Sequence, residues 1–289
     1  MDTVAFHMSV GAPLEEIVVA ELSELGFTAF SVDASAVSAF ISAERWNSPD
    51  FQRALARWKQ LGRCLGAPTV EALETQDYAG LSRQGFQPLH IECFLIRPKW
   101  SAVPPGDADQ IVLTIDPRMS FGTGHHASTR LALRLLSRLA QRGAHVLDIG
   151  TGTGILAIAA AKLGASHVWA IDTDPQAVKE AEENVRDNGV AGQITLLLGS
   201  LEAIQTRDFD LVIANIELSR LGALLPSLVA YAREGAGILL SGIRTSERHS
   251  MLAMVRQFSM VPVEEASEES WWAVALAPEG TQVDWIPAQ

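Results

Sequence analysis

A glycine-rich turn near the middle of the chain is the clearest candidate for a ligand-binding element. It lies in the stretch from Val146 to Ala157, Val-Leu-Asp-Ile-Gly-Thr-Gly-Thr-Gly-Ile-Leu-Ala. Glycines let the backbone turn sharply and let a ligand approach it closely, and the first N–H groups of the following helix lack partners within that helix. The pattern predicts a cofactor site at Gly150 and Gly152. A purely structural turn is the alternative, and the match to the dinucleotide fingerprint leaves the cofactor's identity open.

Two carboxylates near this turn, Asp172 and Asp148, add support to the predicted cofactor site. Asp172 ends the next apolar segment, roughly 20 residues after Gly150, where an acid accepts the hydroxyls of a ribose. Asp174, followed by Pro175, is instead typical of a helix N-cap. Asp148 precedes the first glycine by two positions, which fits methyltransferases better than dehydrogenases.

Asn215 is a third candidate, because it follows the apolar segment 209–214. Open α/β sheets bind ligands at the carboxyl ends of their strands. An amide oxygen there can accept a hydrogen bond from the N–H of a nucleophile. The alternative is an N-cap for a helix that begins near Glu217. We interpret Asn215 as a candidate catalytic residue.

The elements that must hold these side chains form an α/β pattern over residues 110–289. Short apolar runs alternating with helical segments predict a doubly wound, Rossmann-like sheet. The predicted parallel strands are Val146–Ile149, Val168–Ile171, Ile194–Leu198, Leu211–Ala214 and Gly237–Leu240. A strand pair at the sheet edge is predicted at Met260–Ala266 and Trp271–Leu276.

Residues 1–97 follow a different order, which predicts a small α+β domain. Strand, helix, strand, strand, helix and strand suit a ferredoxin-like sandwich. The predicted strands are Val4–Val10, Phe27–Val32, Ala36–Ile41 and His90–Ile96, and the helices begin near Leu14 and after Ser48. Residues 98–109 contain three prolines and a glycine, so they are predicted to link the two domains.

Charge and composition narrow the class of partner. The 289 residues carry a formal net charge of −12 at pH 7. Nucleic-acid binding depends on Lys and Arg that neutralise phosphates, so we expect no direct DNA binding. An acidic surface can instead attract a basic protein.

Cysteine use and apolar runs indicate the compartment. The two cysteines, Cys64 and Cys93, have no disulfide or zinc-type spacing, which fits a reducing cytosol. The sequence shows no signal peptide and no apolar run near the roughly 18 residues that span a membrane. We therefore expect a cytoplasmic protein. We expect no metal at the adjacent His125 and His126, because no carboxylate lies at ligand spacing.

The stretch from Asp116 to Thr129, Asp-Pro-Arg-Met-Ser-Phe-Gly-Thr-Gly-His-His-Ala-Ser-Thr, resembles a family signature. The family is the bacterial methyltransferases that modify protein eleven of the large ribosomal subunit. Further matches are Leu147-Asp-Ile-Gly-Thr-Gly-Thr-Gly, Ile171-Asp-Thr-Asp-Pro, Asn184-x-x-x-Asn188-Gly, Ala214-Asn-Ile and Leu240-Ser-Gly-Ile. The sequence departs from the pattern at Arg118 and Ser120, where the family has Gly and Ala.

The resemblance implies the cofactor, the fold and the roles of particular residues. It implies a class I S-adenosylmethionine methyltransferase domain, preceded by a domain that selects the protein substrate. The implied cofactor contacts are Thr129, Gly150, Asp172 and Asn215. Phe121, Gly122 and Thr123 would close over the sulfonium, and an aromatic face suits such a cation. A core anchor is the alternative role for Phe121.

The implied reaction is the methylation of amino groups, lysine Nε or an N-terminal α-amine, on protein eleven of the large subunit. Another protein target is the nearest alternative. A nicotinamide oxidoreductase would need an acid/base domain after the nucleotide fold, and the short C-terminal segment offers none. A non-catalytic scaffold is disfavoured because Asp148, Gly150, Asp172 and Asn215 are all present.

Overall fold

Two units make up the chain, Met1–Gly85 and Phe86–Gln289, in a computed structural model. The structure describes residues 3–10, 14–27, 29–33, 36–63, 65, 67–73, 88–103, 110–116, 122–139, 142–204 and 206–281. Within those residues, none of the helices is long and apolar enough to cross a membrane.

The first unit is an antiparallel sheet with helices. Its elements are β1 (Thr3–Ser9), α1 (Glu15–Leu25), β2 (Ala29–Asp33), β3 (Ala36–Ser42), α2 (Ala43–Trp46), α3 (Pro49–Lys59) and β4 (Thr69–Leu73). The strand order is β2-β3-β1-β4, and each neighbouring pair is antiparallel. Because β3 lies between β1 and β2 in the sheet, the β1-α1-β2 segment is a split βαβ arrangement.

Period-two alternation along β1 builds the core of this unit. Phe6 is fully buried, and its ring lies 6.3 Å from that of Trp58 on α3. α3 begins as the sequence predicts, because the Ser48 hydroxyl accepts a hydrogen bond from the N–H of Phe51 and Pro49 takes the first helical position. The helix then buries Phe51, Leu55 and Trp58 on one face.

The boundary of the first unit differs from the expected one. Its sheet is completed by β4, whereas the predicted strand His90–Ile96 lies in the second unit as a hairpin of β5 (Leu89–Ile91) and β6 (Phe94–Arg97). β6 pairs in parallel with β7 (Ile111–Thr114). Residues 98–109 therefore connect two paired strands of one unit rather than two domains.

The second unit contains a seven-stranded mixed sheet. Its strands are β8 (His145–Ile149), β9 (His167–Asp172), β10 (Ile194–Leu198), β11 (Phe209–Asn215), β12 (Ala232–Arg244), β13 (Met260–Glu268) and β14 (Trp271–Pro278). The order is β10-β9-β8-β11-β12-β14-β13, parallel up to β12 and antiparallel at β14 and β13. The predicted doubly wound α/β fold is confirmed.

Helices pack on this sheet and alternate with most of its parallel strands. They are α4 (Ala127–Leu139), α5 (Ile155–Lys162), α6 (Pro175–Asp187), α7 (Leu218–Tyr231) and α8 (Arg248–Arg256). Every residue of α5 from Ile155 to Ala161 is buried, as expected for a helix enclosed on all sides. Asp174 caps α6 by accepting a hydrogen bond from the N–H of Gln176, so its predicted structural role is observed.

The order of the sheet creates a topological switch point between β8 and β11. From β8 the chain crosses to β9 and β10 on one side, and it then returns to β11 and β12 on the other. The loops after β8 and β11 therefore leave the sheet in opposite directions and open a crevice between them.

Gly242, near the end of β12, is crowded by backbone. Its φ is +81°, and a Cβ there would lie 2.7 Å from the carbonyl oxygen of Ile216. Gly235 on the same strand has a φ of +79°, but a Cβ there would have no described atom within 4 Å beyond its chain neighbours. The two glycines thus share a conformation and differ in the space around them.

We expect Gly242→Ala to lower the free energy of unfolding by about 2 kcal/mol more than Gly235→Ala, because both add left-handed strain and only the first also overpacks. Urea denaturation of both variants measures the difference. Equal losses would show that the Ile216 backbone can move aside without a cost in the free energy of unfolding.

Candidate functional site

A cavity of about 670 Å³ opens in the second unit at the carboxyl ends of β8, β9 and β11. This volume is typical of a site for a small molecule or cofactor. Four of the sequence-predicted site residues lie in its wall, namely Gly150, Gly152, Asp172 and Asn215. The predicted crevice and these four predicted positions therefore coincide in the fold.

The turn after β8 is held tightly against the end of β9. The N–H groups of Gly150 and Thr151 both donate to the carbonyl oxygen of Ile171, at 2.9 and 3.0 Å. Gly150 has a φ of +68°, and a Cβ there would lie 2.7 Å from Cγ2 of Ile216. Only glycine fits at this position, and the bare backbone forms part of the cavity wall.

Asp172 joins the turn to the next loop. Its Oδ2 accepts a hydrogen bond from the N–H of Gly152 at 2.9 Å, and its Oδ1 accepts one from the N–H of Asp174 at 3.0 Å. A carboxylate has about four lone-pair sites, so each oxygen can still accept a ligand hydroxyl. The arrangement can hold a ribose.

Asp148 lies behind the turn as a buried carboxyl group with 1% of its surface exposed. Its Oδ2 accepts a 2.6 Å hydrogen bond from the hydroxyl of Thr151. Burial is the main cause that raises the pKa of Asp148 to about 7, with a smaller contribution from the charge of Asp172 and against the opposing hydrogen bond from the Thr151 hydroxyl. Asp148 braces the turn and does not line the cavity.

Asn215 ends β11 with its amide almost fully buried. Its Nδ2 lies 3.4 Å from the hydroxyl oxygen of Thr129, to which it donates. Its Oδ1 is buried and has no hydrogen-bond partner among the described residues. Because a buried unpaired acceptor is costly, this oxygen suits a ligand or substrate donor.

The other residues expected at the site lie beside it. Thr129 is fully buried and contacts Asn215, and it is not part of the cavity wall. Gly122 and Thr123 are also outside the wall, although the Gly122 carbonyl accepts a 2.6 Å hydrogen bond from the Thr153 hydroxyl. Phe121 lies outside the described residues.

An aromatic wall that sequence reasoning missed closes one side of the cavity. His126 and Trp271 both line it, with ring centroids 4.6 Å apart in an edge-to-face arrangement. The guanidinium of Arg244 lies 4.7 Å from the Trp271 centroid. Burial lowers the pKa of His126, and the nearby charge of Arg130 lowers it further. Trp271 is nearly 150 positions after the His126 motif, so no local pattern joined them.

Tyr231 at the end of α7 supports another part of the wall and was also missed. Its hydroxyl donates to the carbonyl oxygen of Leu201 at 2.8 Å. Leu201 and its neighbours Gly199 and Ser200 line the cavity. Tyr231 therefore holds the single turn of 3-10 helix at Leu201–Ala203, which in turn contributes Leu201 to the cavity wall.

The charge around the cavity is mixed. Its wall contains the acidic residues Asp172, Asp174 and Glu217 and the basic Arg220, whose Nε lies 3.3 Å from the Glu217 carboxylate. Among the residues the structure describes, no three His, Cys, Asp or Glu side chains are grouped so as to hold a metal ion.

The buried carboxyl of Asp148 makes the stability of the fold depend on pH. Its folded pKa of about 7 exceeds the usual value near 3.9, so the folded protein keeps a proton that the unfolded chain loses between those values. The free energy of unfolding then falls as the pH rises through this window. Between pH 4 and pH 8, we expect the free energy of unfolding of the wild type to fall by up to about 4 kcal/mol relative to that of Asp148→Asn.

Chemical denaturation of both proteins at several pH values, followed by circular dichroism, measures this difference. A difference that stays constant across the range would mean that the pKa of Asp148 in the folded protein equals its value in the unfolded chain.

Sequence comparison places the chain among known proteins. The family model described as ribosomal protein L11 methyltransferase (PrmA) matches residues 14–278. The ribosomal protein L11 methyltransferase of Laribacter hongkongensis is 41% identical, over 70% of this chain and 67% of the relative. That of Pelobacter propionicus is 35% identical, over 84% of this chain and 86% of the relative.

A solved structure agrees with the sequence comparison. The ribosomal protein L11 methylase of Lactobacillus delbrueckii subsp. bulgaricus superposes with a TM-score of 0.63 at 32% identity, covering 67% of this chain and 99% of that one. The resemblance inferred from the Asp116–Thr129 motif is thus confirmed. This chain belongs to the ribosomal protein L11 methyltransferase family and is an S-adenosylmethionine-dependent methyltransferase.

Proposed function

We propose that this protein transfers methyl groups from S-adenosylmethionine to amino groups of ribosomal protein L11, at lysine Nε, at the N-terminal α-amine or at both. The observation that carries the proposal is the unpartnered Oδ1 of Asn215 in the wall of a cavity that also contains Gly150 and Asp172. Family membership over residues 14–278 supports the substrate.

The cofactor is assigned to the cavity by the chemistry of its wall. Asp172 would accept the ribose hydroxyls, and the bare backbone at Gly150 and Gly152 would let the cofactor lie against the turn. S-adenosylmethionine supplies a methyl group that the sulfonium already activates. The protein therefore contributes alignment and a usable nucleophile rather than a strong base.

Asn215 is the proposed catalytic residue. Its Oδ1 would accept an N–H of the substrate amine and so direct the nitrogen lone pair. The amide can hold that orientation because Nδ2 is engaged by the buried hydroxyl of Thr129. We thus assign Thr129 to the support of Asn215, as well as to the cofactor site that the family pattern implies.

The substrate amine must lose its charge before it can react. Holding a lysine with a pKa near 10.4 neutral at pH 7 costs about 4.6 kcal/mol. Apolar neighbours favour the neutral amine, and the wall of the cavity that contains Asn215 also includes Ile149, Ile216 and Leu224. Water can take the proton, so no side chain is assigned as the base.

The first unit is the proposed site of substrate recognition, because residues 1–85 are not needed to form the cavity. A chain of net charge −12 suits a basic protein partner. We infer that the reaction takes place in the cytoplasm, on a protein substrate and not on DNA.

Methyl transfer from radiolabelled S-adenosylmethionine to purified ribosomal protein L11 tests the proposal. We expect incorporation at amino groups, and we expect Asn215→Ala to lower kcat by about 100-fold because the amine loses its alignment. The same variant should bind S-adenosylhomocysteine with a Kd within about tenfold of the wild type.

Mass mapping of the product identifies the modified groups. Wild-type turnover by Asn215→Ala would remove Asn215 from the mechanism. Incorporation into a different protein, with none into L11, would show that the substrate is another protein.

A further inference from the structure

Thr153 lies between two glycines of the turn, yet it faces away from the cavity. It is fully buried and is not part of the cavity wall. Its hydroxyl donates to the Gly122 carbonyl at 2.6 Å, and its own carbonyl accepts a 2.9 Å hydrogen bond from Nδ2 of Asn184. One residue of the turn is thus bonded on two sides to other parts of the chain.

Asn184 carries the second of these connections to Asp116. Its Oδ1 accepts the N–H of Asp116 at 3.0 Å, and only 1% of the residue is exposed. One helical turn later, Asn188 accepts the N–H of Thr114 at 3.0 Å and donates to the carbonyl of the same residue at 2.6 Å. The end of β7 is therefore held against α6.

Asp116 and Gly122 are the described residues that flank segment 117–121. Gly122 bonds directly to Thr153, and Asp116 reaches it through Asn184. The contact at Gly122 is close, since a Cβ there would lie 2.9 Å from Oγ1 of Thr153. Both flanks are thus fixed to the turn whose glycines line the cavity.

We propose that Thr153 is a positioning residue for methyl transfer, which holds Gly122 and Thr123 in register with the glycine turn without touching cofactor or substrate. This inference rests on the proposed function, because it gives Gly122 and Thr123 the place beside the reacting methyl that the family pattern implies. The hydroxyl, rather than the volume of the side chain, provides the effect.

The choice of variants separates the hydroxyl from the packing. Thr153→Val keeps the shape and removes the donor, whereas Thr153→Ser keeps the donor. Thr195→Val is the matched control, because the Thr195 hydroxyl lies 2.9 Å from Nε2 of His167 on neighbouring strands and outside the cavity wall. If Thr153→Val does not fold, Thr153→Ala removes the hydroxyl without added bulk.

Steady-state kinetics with L11 and calorimetry with S-adenosylhomocysteine form the first test. We expect Thr153→Val to lower kcat about tenfold, because the reacting groups are misaligned, with a Kd for S-adenosylhomocysteine within twofold of the wild type. Thr153→Ser and Thr195→Val should keep wild-type kcat. A kcat equal to that of Thr195→Val, or a Kd that rises as much as kcat falls, would overturn the inference.

Hydrogen exchange of a peptide that contains residues 122–126 forms the second test and needs no methyl acceptor. We expect faster exchange in Thr153→Val than in the wild type and the Ser variant. If the wild type leaves L11 unmodified, the proposed function fails while this measurement still decides the role of Thr153. Unchanged exchange would contradict that role.

Discussion

The close approach of Ile216 to two glycines is the constraint on which the site depends. The side chain of Ile216 occupies the space that a Cβ on Gly150 would need, and its backbone occupies the space that a Cβ on Gly242 would need. The turn after β8, the beginning of the loop after β11 and the end of β12 therefore meet around Ile216. This contact brings Asn215, which precedes Ile216, into the same cavity wall as the glycine turn. Cofactor and acceptor amine can then meet at one switch point of the sheet.

Buried polar groups are concentrated around this meeting point. Asp148, Thr129, Thr153 and Asn184 are each at most 1% exposed, and each forms a hydrogen bond to the turn, to Asn215 or to one flank of segment 117–121. Such groups cost stability when they lose a partner, so the network restricts the turn to one arrangement. Oδ1 of Asp148 and Oδ1 of Asn215 are both buried without a hydrogen-bond partner among the described residues, and of these two residues Asn215 lines the cavity. Its Oδ1 is the acceptor that we propose the substrate uses.

The sequence predicted the parts of the structure that depend on local pattern. Short apolar runs indicated the strands of the large sheet, and the glycine turn with Asp172 indicated the part of the cavity that we assign to the cofactor. Pairing partners far apart in the chain were harder to predict. The run His90–Ile96 was predicted as one strand of the first domain, but it forms the β5–β6 hairpin, and β6 pairs with β7 in the second unit. Trp271 lines the cavity, and Tyr231 supports the turn at Leu201 that lines it. Both do so only through tertiary packing, so no spacing rule indicated them.

A crystal structure of the protein with S-adenosylhomocysteine tests the central claim most directly, that one cavity aligns the cofactor with Asn215. Two distances are measured. One joins the ligand's ribose hydroxyls to the Asp172 carboxylate, and the other joins its sulfur to the Asn215 side chain. We expect both hydroxyls within hydrogen-bonding distance of Asp172 and the sulfur facing Asn215. A ligand bound elsewhere, or with its ribose away from Asp172, would contradict the claim.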